Sequence, residues 1–228
     1  MSPEIGSLVE DQALVRKRRA QIVKAATELF SSQGFYRTTN KEIAKLAGMS
    51  SGLIYQYVRE KDDVLLLVLL EVLEAYSREI PLALEGIDDP LERLIASVSS
   101  YCRIVDKHRA ATVLAYRSTK SLAPGKREIV QETEITTNQH ITREIVSCIK
   151  AGRLRKVNAD VLTYQFVTVA HAWALKGWFL KSIVDIDSYI EQTIDMLFVG
   201  VLTPSGEKQF EKLRKKNKAI EPEVSSGS

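Results

Sequence analysis

Apolar residues recur at three- and four-residue spacing along nearly the whole chain, which predicts helices throughout, and no alternating strand-like stretch interrupts the pattern. The first helix is expected over about 11–33, with Ile22, Val23, Ala26, Leu29 and Phe30 on one face and Gly34 as its C-terminal cap. Thr39, with Glu42 three positions on, reads as a capping box opening a short helix whose inner face is Ile43, Ala44, Leu46 and Ala47. Gly48 supplies a turn, and Ser50 or Ser51 caps a second short helix running to about Val58. Asp62 and Asp63 stand where the dipole of a new helix favours acidic side chains; that helix runs to about Ile80, and Pro81 kinks or ends it. Further helices are predicted near 89–106, 108–121, 125–151, 158–181 and 186–202, separated by Pro, Gly, Asn and Asp clusters. Residues 1–9 read as a loose tail. Residues 204–228 read as a polar, disordered tail in which Lys208 to Lys218 can form a charged helical extension. The expected fold class is all-α, with a three-helix domain over 11–60, a larger helical domain over 61–203 and the tail.

Two short helices around a tight turn over 39–58 have the form of a helix-turn-helix, whose second helix enters the major groove of DNA. The overall charge of +3 carries little weight, but its distribution does. Nine basic residues (Arg16, Lys17, Arg18, Arg19, Lys24, Arg37, Lys41, Lys45 and Arg59) fall between 16 and 59, opposed only by Glu28 and Glu42. A basic end on a near-neutral body suits phosphate contact at one end. The 228 residues suffice for a real core, and Cys102 and Cys148 are too few for a disulfide framework, so both are expected as buried free thiols. The longest apolar run, Val64 to Leu70, covers about a third of a bilayer span, so a soluble, cytoplasmic chain without membrane partners is expected.

A recognition helix must bring its first turn close to base edges. Ser50, Ser51 and Gly52 are small enough to allow this, and their hydroxyls and amides suit a phosphate oxygen. Leu53 and Ile54 face inward, leaving Tyr55 and Gln56 outward. Gln56 can pair with adenine through two hydrogen bonds, and Tyr55 can pack on a thymine methyl or reach a phosphate. Tyr57 and Lys61 are placed at the rim; ordinary packing is the competing account of both tyrosines.

Residues 18 to 65 resemble the N-terminal domain of the TetR family of bacterial repressors. The resemblance rests on Ile22 to Phe30, Gly34-Phe35, Thr38-Thr39, Glu42-Ile43-Ala44, Ala47-Gly48-Met49-Ser50, Gly52, Ile54-Tyr55-Gln56-Tyr57, Lys61 and Leu65. Val58 departs from the pattern, which commonly has Phe there. The resemblance implies an all-α homodimer formed largely by the last two long helices, binding a palindromic operator in double-stranded DNA and released by a small molecule. Carried over by position, Thr39, Lys41, Ser51, Gly52, Tyr55, Gln56, Tyr57 and Lys61 become the DNA-contact candidates.

One small helix pair makes too few base contacts for a unique site, whereas two held about 34–36 Å apart read a palindrome. For the dimer surface, Val167, Ala170, Ala174 and Gly177 form a small-residue strip on one helix, and Ile190, Ile194, Leu197 and Val201 an apolar ridge on the next; internal packing of the same faces is the alternative. Tyr101, Tyr116, Arg117, His140, His171 and Trp178 are candidates for a ligand pocket, against simple packing or exposure. Arg117 offers positive charge to an anionic head, and the resemblance adds a fatty acyl thioester as effector, or another apolar compound with such a head. No cofactor is expected: the three histidines lack metal-ligand spacing, and no nucleophile elbow or phosphate loop points to an enzyme. A scaffold that has lost DNA binding is opposed by the intact Thr39, Gly48, Tyr55 and Lys61. An activator on the same fold is not separable from a repressor by sequence.

Overall fold

Asp11 opens the first helix, α1 (Gln12–Gln33), by accepting the Ala13 and Leu14 amides at 2.9 and 3.1 Å. Gly34 closes it at φ 86°, a left-handed conformation that costs other residues a steric clash. The computed structural model describes residue 5 and residues 7–220, the last four as backbone only. Thr39 then caps α2 (Asn40–Leu46) in the expected box: its hydroxyl accepts the Glu42 amide at 3.2 Å, and the Glu42 carboxylate takes the Thr39 amide at 2.8 Å. Those hydrogen bonds hold the Glu42 carboxyl below its usual pKa. Gly48, at φ 70°, turns the chain.

The second short helix differs from expectation. Residues 51–53 form turns and only Ile54–Gln56 is helical, as a single 3₁₀ turn. Leu46 also departs: it is exposed, while Ile43, Ala44, Met49 and Ile54 are buried. Met49 fills the inner position because its amide reaches back to the Ala44 carbonyl at 2.8 Å. Val58 is fully buried at the foot of this head.

The long apolar run becomes α3 (Lys61–Ala83), which carries Pro81 inside its last turn and buries residues on most of its circumference. It packs against α1, α4 (Pro90–Lys107), α5 (Arg109–Ser118) and α6 (Pro124–Lys150), so it joins the head to the body. Asp89 caps α4, with Pro90 in its first turn. Asn158 caps α7 (Ala159–Leu175) and Asp185 caps α9 (Ile186–Val199). The helix expected over 158–181 breaks at Lys176, leaving α8 (Gly177–Leu180) as a separate turn. Arg93 ties the body together: its guanidinium pairs at 2.9 Å with both oxygens of the buried Glu144 and also donates to the Leu84 and Ile87 carbonyls.

The tail expected from residue 204 is helical as far as residue 220, a stretch that contains the extension expected over Lys208 to Lys218, so the disorder is corrected there. Pro204–Ile220 forms α10, which buries Leu213, stacks Phe210 against Phe198 and ion-pairs Arg214 with Glu191 and Asp195 of α9. Its polarity disguised it because ion pairs share the docking with very few apolar side chains. Residues 221–228, and 1–4 and 6 of the expected N-terminal tail, lie outside the described residues. Cys102 and Cys148 are buried and unpaired, and burial pushes both thiols up to about 12. No helix of the described residues is long and apolar enough to cross a membrane.

Candidate nucleic-acid interface and central cavity

The short segment that follows Gly48 is held from three sides. Ser50 caps it through Leu53, whose amide donates to the Ser50 hydroxyl at 3.2 Å. Arg19 of α1 donates to the Tyr57 carbonyl at 3.2 and 3.1 Å and also to the Ile5 carbonyl. The Leu8 amide and Ser7 hydroxyl both donate to the Gln56 carbonyl, at 2.9 and 3.1 Å. Lys41, Ser50, Ser51, Gly52, Tyr55 and Gln56 are all exposed, Tyr55 by 50%. Arg37, Lys45 and Arg59 are exposed on the same head.

Three predicted contacts stand differently. Tyr57 is buried, because the tight turn at 54–56 aims its ring into the core beside Val58. Thr39 is exposed, but its hydroxyl is engaged by Glu42. Lys61 does not extend to the rim. Its ammonium donates to the Phe35, Tyr36 and Thr38 carbonyls at 2.9, 3.1 and 3.1 Å and lies 4.5 Å from the centre of the Phe35 ring. Those carbonyls lie in the turn between α1 and α2, and a cation satisfies all three.

Two connections between head and body carried no sequence signal, since each joins residues far apart in the chain. Lys126, in the first turn of α6, pairs with Asp63 at 2.7 Å and Glu60 at 2.5 Å. Asp63 also accepts the Arg59 and Glu60 amides at 2.8 and 3.1 Å. Burial alone raises the Asp63 carboxyl, but the Lys126 ammonium and the two amides outweigh it and hold it below its usual range. The Tyr36 hydroxyl lies 2.7 Å from that of Ser121, beyond α5.

The predicted pocket residues divide. Tyr101, Tyr116 and His171 line one cavity of about 300 Å³ between α3, α4, α5, α6 and α7. Its walls are otherwise largely apolar, from Leu69, Val72, Leu73, Ala111, Ala115 and Val130. His171 bridges the two tyrosines, 3.1 Å from the Tyr101 hydroxyl and 3.0 Å from that of Tyr116, and burial lowers its pKa to about 4. Arg117 and Trp178 instead line a separate cleft with Arg109 and Gly177. Successive residues on a helix point about 100° apart, and here that rotation turns Arg117 away from the cavity that Tyr116 lines. His140 lies at a third depression, beside Arg93 and Glu144, one position from the buried Ile141. Tyr76 and Glu134, which sequence reasoning missed, both line the central cavity.

The predicted dimer surface is turned inward in part. Val167, Ala170, Ile190 and Ile194 are buried within the single chain, while Ala174, Gly177, Leu197 and Val201 are half-buried. α7 presents that strip to α4 and α6, and α9 presents its ridge to α4, so both faces seal the chain's own core. The exposed apolar positions lie elsewhere: Val161 and Tyr164 on α7, Met196 and Val199 on α9.

Comparison with known proteins places this geometry. Residues 22–68 match the family model described as "Bacterial regulatory proteins, tetR family", and residues 87–200 match "Tetracyclin repressor-like, C-terminal domain". The chain is 45% identical over 216 residues to the HTH-type transcriptional regulator HbdR of Aromatoleum sp. (strain CIB), covering 95% of this chain and 94% of that protein. It is 30% identical over 170 residues to the HTH-type transcriptional repressor KstR2 of Mycobacterium tuberculosis, covering 72% of this chain and 82% of that one. Among solved structures, a tetR-family regulatory protein from Rhodococcus RHA1 superposes with a TM-score of 0.72 at 23% identity, covering 80% of this chain and 95% of that one. AibR, solved with isovaleryl coenzyme A and operator DNA, superposes with a TM-score of 0.68 at 17% identity, covering 79% and 98%. The relatives are regulators rather than enzymes, and the chain belongs to the TetR family of bacterial transcriptional regulators.

Proposed function

We propose that two copies of the chain bind one palindromic operator in the cytoplasm, repress transcription from it, and release the DNA when a small, largely apolar effector occupies the central cavity. The observation that carries this reading is the exposed stretch Ser50-Ser51-Gly52, followed by outward Tyr55 and Gln56, on a head braced by the Thr39–Glu42 box. Small residues let that turn approach base edges, and Lys41, Arg37, Lys45 and Arg59 supply phosphate contacts around it. Thr39, Tyr57 and Lys61 act on this reading by shaping the head, since the Thr39 hydroxyl and the Lys61 ammonium are engaged within it and the Tyr57 ring is buried.

The second copy docks on the outward stripes of α7 and α9, with Val161, Tyr164, Met196 and Val199 at its centre and Ala174, Gly177, Leu197 and Val201 at its margin. Release follows from connected walls. Val130 of the cavity stands one helical turn from Lys126, which holds Asp63; Thr119 stands two residues from Ser121, which holds Tyr36. An effector that favours displaced walls therefore shifts the heads, a coupling of typically about 1–3 kcal/mol. The fold shared with AibR supports an acyl thioester as effector, with its apolar part in the cavity and its anionic part outside.

Gel retardation with DNA from the promoter of the chain's own gene tests the reading. Retardation that weakens steeply with salt is expected, because several phosphates are neutralised per dimer. No retardation, or a flat salt response, counts against it. Loss of the gene should raise reporter output from the same promoter; a fall identifies an activator instead.

A further inference from the structure

We infer that the central cavity selects an uncharged group carrying a hydrogen-bonding atom, which the Tyr76 hydroxyl meets, and that it excludes a free carboxylate. The inference rests on the reading of this cavity as the effector site and specifies what enters it.

Tyr76 is 2% exposed, stacks on Tyr101 at 4.1 Å and 10°, and lines the cavity with a buried hydroxyl that has no hydrogen-bond partner. A buried hydroxyl left unpaired is costly, so it marks a place where an incoming polar atom gains more than it loses to water. The neighbouring hydroxyls are differently placed. Thr112 and Thr119 are spent on the His108 and Ala115 carbonyls of their own helix. Tyr101 and Tyr116 flank His171, whose imidazole is kept neutral by burial. A neutral imidazole donates from one nitrogen and accepts at the other, so one tyrosine gives its proton to the ring and the other receives the ring's proton. The Tyr76 hydroxyl has the Tyr101 and Thr112 hydroxyls as neighbours but meets neither in hydrogen-bonding geometry.

The lining contains no lysine or arginine, and its one carboxyl, Glu134, is raised by burial. A carboxylate brought here loses its water, meets no cation and faces a second acid. Arg117, the guanidinium closest in sequence to the cavity tyrosine Tyr116, opens into another cleft. An uncharged amide, ester, thioester or hydroxyl loses far less on leaving water, and the missing cation and the second acid do not penalise it.

Isothermal titration calorimetry of the full chain with benzamide and with benzoate, matched in size, tests this. Benzamide should bind at least about tenfold more tightly. Tyr76→Phe keeps the stacked ring, so melting temperature should hold or rise while benzamide affinity falls by about three- to tenfold. Glu134→Lys places a cation at a partly exposed wall position and should reverse the preference toward benzoate. Equal affinity of the two probes for the unmodified chain, no binding of either, or unchanged benzamide affinity in Tyr76→Phe overturns the inference. Operator retardation is measured on the same preparation. If it persists while the probes fail, only the cavity assignment falls; if it is absent while the probes behave as stated, the DNA-binding reading falls instead.

Discussion

Lys126 and Asp63 stand 63 residues apart in sequence, yet the ammonium of one lies 2.7 Å from the carboxylate of the other, and that carboxylate also fixes the amides of Arg59 and Glu60. One ion pair therefore joins the start of α6, a wall of the cavity, to the start of α3, the base of the head. Replacing Lys126 by Met should cost about 1–3 kcal/mol, because the mostly buried carboxylate keeps its amides but loses its cation. Differential scanning calorimetry reads the loss. An unchanged melting temperature removes Lys126 from the list of connections that matter.

Asp63 also gives the chain a pH signature. Its carboxyl is lowered in the folded protein, so it favours folding at any pH above the ordinary carboxylate value, about 3.9. That contribution is lost as pH falls through the lowered folded value. Asp63→Asn should accordingly lie well below the unmodified chain in melting temperature at pH 6, and the gap should close as both are taken below about pH 4. A gap that stays constant from pH 6 to pH 3 contradicts the assignment.

Tyr55 and Lys61 should separate cleanly. Tyr55→Ala removes an exposed ring, so it should leave the melting temperature in place while weakening operator binding by about 1–2 kcal/mol. Lys61→Met leaves three carbonyls without their cation, at a cost of about 2 kcal/mol, and should lower stability and operator affinity together. Fluorescence anisotropy alongside thermal unfolding distinguishes the two; a stable Lys61→Met chain with weakened DNA binding points to direct phosphate contact.

For the dimer, Val199→Glu on the outward stripe of α9 should halve the mass seen by light scattering and leave the helical circular dichroism intact. Val167→Glu, on the buried strip, should instead unfold the chain, since a carboxylate enters the core beside α4 and α6. Retention of the larger mass by Val199→Glu excludes this stripe as the contact between copies.

Local rules made the head legible in advance. The Thr39–Glu42 box, the left-handed turns at Gly34 and Gly48 and the burial of Ile43 and Ile54 each depend on residues a few positions apart. Tyr101 and His171 were readable as pocket residues because a polar tip on an apolar body suits a cavity wall. Tyr76 carries no such signal, because nothing in sequence tells that a tyrosine hydroxyl ends without a partner. The faces of α7 and α9 follow a related rule: periodicity marks an apolar face but does not say whether the chain or a second copy covers it. Adjacency in sequence groups Arg117 with Tyr116, and helical rotation separates them. Lys61 reads as a surface cation in sequence, and only the fold sets three carbonyls around its ammonium.

The segment after Gly48 contains a single 3₁₀ turn and owes its shape to neighbours, among them the Leu8 amide and the Ser7 hydroxyl, which grip the Gln56 carbonyl. Affinity handles fused ahead of these residues for purification pull directly on the surface meant to read the operator. Handles belong after α10, and preparations tagged at opposite ends should be compared before any measured operator constant is attributed to the native chain.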